Sequence, residues 1–62
     1  MSIVIDPAVN EFEALVVLDE LRKLNVKFAT IRPGNRCVWV SYNQLETYWI
    51  FDKGRLVDIQ ID

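Results

Sequence analysis

The hydrophobic and polar positions divide the chain in two. From Val26 to Asp62, short β-prone runs alternate with turn signals. Val26 to Arg32 leads to Pro33-Gly34, a pair suited to the two central positions of a turn. A second run starts at Asn35 or Arg36 and passes through Cys37, Val38, Trp39, Val40 and Ser41 to Tyr42. The polar segment Asn43 to Glu46 reads as a four-residue connection. The third run, Thr47 to Phe51, carries Tyr48, Trp49, Ile50 and Phe51 in succession. Asp52-Lys53-Gly54-Arg55 is a tight hairpin turn with Gly54 at a position suited to positive φ, and Leu56 to Ile61 completes the series. Turns this close together predict antiparallel hairpins in a meander.

The first half is helical in period. Asp6-Pro7 offers a capped helix start. Asn10 with Glu13 three residues on offers a second, of capping-box type. Periodicity then runs to about Leu24, and Asn25 is suited to end it. At 100° per residue, Ala14, Val17, Leu18, Leu21 and Leu24 form one stripe, expected to lie on the sheet. Val9, Phe12 and Val16 lie on another side, so the first half of the helix is apolar nearly all round. Either Ile3-Val4-Ile5, as a short edge strand or an extended arm, folds over that side, or a second subunit does.

Successive strand residues point to opposite faces, so an unbroken apolar run makes both faces apolar. Closing the last hairpin at Lys53-Gly54 puts Ile50 opposite Val57 and Tyr48 opposite Ile59. With the four-residue connection, Trp39, Cys37, Phe28 and Val26 join that face, which the helix is expected to cover. The other face then holds Ala29, Ile31, Val38, Val40, Trp49, Phe51 and Leu56, rimmed by Lys27, Arg36, Tyr42, Asp58 and Gln60. One helix cannot cover two apolar faces. A soluble monomer rarely exposes so large an apolar patch, so either strand twist and the N-terminal arm hide it within one chain, or a second copy or a different partner covers this side.

Composition narrows the chemistry. The chain has 62 residues and reads as one α+β domain over 1–62. A domain this small is marginally stable alone, which favours association. Its formal charge of −2 argues against a nucleic-acid backbone as the favoured partner. There is no histidine and one cysteine, so no His-based nucleophile system, disulfide or cysteine-rich metal site can be built within it. Gly34 and Gly54 are isolated turn residues rather than a phosphate-cradling loop. No apolar run is long enough to span a membrane, and the opening residues, with no basic stretch and a short apolar run, are not expected to act as a signal peptide. A cytoplasmic location is the expectation.

The residues therefore predict one N-terminal helix packed on a four-stranded antiparallel meander, with room for a short N-terminal edge strand at Ile3-Val4-Ile5. The expected function is that of a non-catalytic protein–protein interaction module, homodimeric, with no cofactor or metal, that masks a surface of another macromolecule. The expected partner-binding residues are Trp49, Phe51, Trp39, Tyr42, Val38 and Val40, with Arg32 and Arg36 as a basic tip. Phe12, Val16, Ile31 and Leu56 are the dimer candidates. Two alternatives are a phage or mobile-element inhibitor of a host defence or nuclease complex, and a sheet that stacks single-stranded nucleic acid on its aromatics.

Overall fold

The computed structural model describes residues 2–62. The elements run β1 (Ser2–Ile5), α1 (Glu11–Lys23), β2 (Phe28–Pro33), β3 (Cys37–Tyr42), β4 (Leu45–Asp52) and β5 (Arg55–Ile61). The five strands form one sheet in the order β1-β2-β3-β4-β5. The class is α+β, as the pattern of runs implies, but the sheet is mixed. β1 joins its edge parallel to β2, with Ile3 opposite Ala29 and Ile5 opposite Ile31. A parallel pair needs a crossover connection, and α1 supplies it. The segment Ile3-Val4-Ile5 therefore extends the sheet instead of folding over Phe12 and Val16.

The second of the two candidate helix starts is used. The Asn10 side-chain oxygen accepts the amides of Phe12 and Glu13 at 2.9 and 3.2 Å, which satisfies two donors that have no partner within the helix. Asp6 instead forms a turn ahead of the helix: its carboxylate accepts the Ala8 amide at 2.8 Å. At the other end Asn25 takes φ 59°. Its amide donates to the Arg22 carbonyl, and the Val26 amide donates to that of Leu21. This is a Schellman ending, with Leu21 and Val26 both buried.

Two of the three hairpin turns differ from expectation. The Lys53-Gly54 turn forms as read, with φ of 52° and 79°. The β3–β4 connection is not a four-residue loop. Asn43 and Gln44 both have positive φ, and Tyr42 pairs with Leu45. Two-residue turns of this kind match the twist of the strands they join. In the β2–β3 turn, Pro33 still belongs to β2 and positive φ falls at Arg36, at 61°. Gly34 lies close to Cys37: a Cβ there would meet the Cys37 sulfur at 2.6 Å and its carbonyl oxygen at 3.3 Å, so the Cys37 side chain would have to turn away.

The main correction concerns which face α1 covers. Ala29, Ile31, Val38, Val40 and Trp49 are buried together with Ala14, Val17 and Leu21 of the helix. Leu18, Tyr42, Phe51 and Leu56 pack against that cluster. The set read as uncovered is thus the core, and the set containing Trp39, Tyr48 and Ile50 faces away from the helix. Polarity explains the choice. The Trp49 side brings one polar side chain, Thr47, into the core, whereas the other side carries Thr30, Arg32, Ser41 and Glu46, which are costly to bury. Thr47 is satisfied: its hydroxyl donates to the Val40 carbonyl at 2.6 Å and accepts the Trp49 indole N–H at 2.8 Å.

A bulge redistributes β5. Phe51 pairs with Leu56, but Ile50 pairs with Asp58, which leaves Val57 as the extra residue. Beyond it, Ile59 and Ile61 lie on the Trp49 side, opposite Trp49 and Thr47, while Asp58 and Gln60 move to the helix-free face. Ile50 does not meet Val57, nor Tyr48 Ile59.

Candidate interaction surface

The helix-free face is built from residues that alternate outward along four antiparallel strands. Cross-strand pairing aligns Arg32, Trp39, Tyr48 and Gln60 in one row, and Thr30, Ser41 and Glu46 in the next. Cys37, Ile50 and Asp58 form a third. Trp39 is the centre. The Arg32 guanidinium lies 4.4 Å from its ring centroid, a cation–π contact. Tyr48 stands on its other side with ring centroids 5.5 Å apart and planes tilted by 39°.

Glu46 fixes this arrangement. One of its carboxylate oxygens accepts the Ser41 hydroxyl at 2.6 Å and the Trp39 indole N–H at 2.7 Å. The same oxygen lies 3.6 Å from an Arg32 nitrogen. The Ser41 bond first, then those from Trp39 and Arg32, hold the Glu46 carboxyl below its ordinary range despite some desolvation. Burial raises the Tyr48 phenol above its ordinary range, and the nearby Asp62 and Glu46 carboxylates add to the shift. The face therefore presents two aromatic side chains held in place by a charged network, with Asp58 and Asp62 to one side of them.

The structure separates the residues singled out in the sequence. Trp39 and Arg32 belong to the exposed face. Trp49, Val38, Val40 and Ile31 are at most 2% exposed, and Phe51, Tyr42 and Leu56 are half-buried beside them. The first four are closed off in the core under α1, whereas Phe51, Tyr42 and Leu56 lie at its margin and keep part of their surface in solvent. Arg36 is exposed at the β2–β3 turn, apart from the aromatic row. On the helix, Phe12 is 75% exposed and Val16 half-buried. Tyr48, Ser41 and Glu46 were not expected at a site. The signal for them is polarity together with the turn: a two-residue Asn43-Gln44 turn places Trp39 opposite Tyr48 and Ser41 opposite Glu46, and the face carrying Thr30, Arg32, Ser41 and Glu46 is the costlier one to bury. That turn lacks the glycine that ordinarily marks its type.

Other concave features carry less chemistry. A cleft of about 480 Å³ lies at the end of the sheet between the segment before α1 and the β2–β3 turn. Glu13, Arg36 and Cys37 line it, which supplies no nucleophile with an adjacent base. Among the described residues, no three metal-ligating side chains gather into one group. Nor, among the described residues, is any helix long and apolar enough to cross a membrane. Comparison with protein-family models, curated proteins and solved structures returned no match.

Proposed function

We propose that this protein is a small non-catalytic protein-binding module, homodimeric, that uses the helix-free face of its sheet to cover a surface on another macromolecule. The observation that carries the reading is the Arg32–Trp39–Tyr48 row, held by Glu46 on a face no element covers. Aromatic and arginine side chains dominate contact energetics when a partner desolvates them. Holding the Trp39 ring in place beforehand reduces the entropy lost on binding. The carboxylates beside the aromatics favour a protein partner over a phosphate backbone, which would be repelled by Glu46, Asp58 and Asp62.

Affinity capture from the source cells tests this. Wild-type protein should retain a stoichiometric protein, and Trp39→Ala should lose it while keeping wild-type circular dichroism. Identical capture by both forms would overturn the assignment of the face. Quenching of tryptophan fluorescence by a single-stranded oligonucleotide, reversed by salt, would favour the nucleic-acid alternative.

A further inference from the structure

We propose that the open edge of β1, together with the flank of α1 above it, is the seat of a second copy of this chain. The proposal rests on the homodimeric part of the reading above and names the surfaces that meet. Four observations converge on it.

The first is backbone chemistry. Ser2 and Asp6 donate their amides to the carbonyls of Lys27 and Ile31 at 2.8 and 2.9 Å. Alternation along a parallel ladder then turns the amides and carbonyls of Ile3 and Ile5 toward the open side. The second is the contrast between the sheet's two edges. At β5, the Asp58 carboxylate accepts the Ile59 amide at 2.9 Å and a bulge interrupts the strand at Val57. Both are devices that discourage strand addition. β1, Ser-Ile-Val-Ile, has no charge, proline or bulge.

Third, an apolar groove of about 400 Å³ runs beside that edge, lined by Ile5, Pro7, Ala14, Leu15 and Leu18 with Glu11 at its rim. Leu15 is 62% exposed there, although a leucine at that position gains by burial. The fourth is charge. At 100° per residue, Glu11, Leu15, Leu18 and Arg22 share one flank of α1. Their order along that flank is acid, apolar, apolar, base.

That order is self-complementary. An isologous interface joins the same patch on both copies. A two-fold axis that pairs β1 antiparallel with its copy also sets the two helices antiparallel. Glu11 then faces Arg22 of the second copy, and Leu15 faces its Leu18. Neither Glu11 nor Arg22 forms an ion pair within the chain among the described residues. A standard interface buries about 800 Å² per partner, a modest part of this chain's 4592 Å². The product is a continuous ten-stranded sheet, twice the five strands of one chain. Both aromatic faces lie on its same side, free for a partner.

Sedimentation equilibrium tests this on the full chain. The wild type should sediment at about twice 7.3 kDa. Leu15→Lys and Arg22→Glu, both at exposed positions, should each weaken the dimer by at least about tenfold. Combining Glu11→Arg with Arg22→Glu should restore it. A single-chain mass at millimolar concentration would overturn the proposal and leave Trp39-dependent capture standing. So would a dimer indifferent to Leu15→Lys, or a failure of the paired charge swap to rescue.

Discussion

At the scale of single residues, two hydrogen-bonded chains on opposite faces hold the sheet, and each can be tested apart from the other. Thr47 links the Trp49 indole to the Val40 carbonyl inside the core. Thr47→Val keeps the shape but strands a buried N–H, which should cost roughly 1–3 kcal/mol. Urea unfolding would measure it, and a variant as stable as the wild type would deny that the bond matters. Glu46 works in solvent. Its carboxyl is held low in the folded chain, so its ionised form favours folding above the ordinary carboxylate range, and that contribution is lost as pH falls through the lowered value. Glu46→Gln should therefore flatten the acid limb of the stability profile followed by circular dichroism. An unchanged profile would mean the Ser41 and Trp39 contacts are not formed in solution. The residue scale is also where the sequence was least informative. Trp49 and Trp39 are both flanked by apolar strand neighbours, and nothing local distinguishes the fully buried one from the half-buried one on the helix-free face. Only a count of polar residues on each face (Thr47 against Thr30, Arg32, Ser41 and Glu46) separates them.

Among the elements, the helix and strands were largely legible because periodicity and end signals agree. Asn10 and Asn25 bracket α1 as their types suggest. The run of strands from β2 to β5 follows the turn signals. What escaped was the long-range pairing of β1, since four residues with no turn beside them do not announce a partner. The β5 bulge escaped too, as no glycine marks Val57. A single extra residue exchanges faces for all that follows, so Asp58 and Gln60 changed sides with Ile59 and Ile61. The bulge and the Asp58 cap are features that discourage strand addition at β5. Asp58→Ala would free the Ile59 amide beside the exposed Val57 and Ile61. Light scattering should then show species heavier than the wild-type assembly, increasing with concentration. Scattering equal to that of the wild type would show that the edge needs no guard.

For the whole molecule, the mismatch between one helix and two sheet faces resolves into a division of labour. The more apolar face is the core under α1. The other, mixed in polarity, is stable in water and still rich in aromatic contact area. Exposed apolar side chains remain at Phe28, along β5 at Val57 and Ile61, on the helix at Phe12 and Leu15, and at Val4 on the open edge of β1, where a second copy would lie. Trp49 and Phe51 belong to the packing under α1, and Trp39 with Tyr48 lies on the face proposed for contact. Hydroxyl-radical footprinting of the protein with its captured partner tests this most directly. The partner should protect Trp39 and Tyr48 and leave the reactivity of Phe12 unchanged. Protection of Phe12 by the partner, with Trp39 and Tyr48 as reactive as in the free protein, would contradict it.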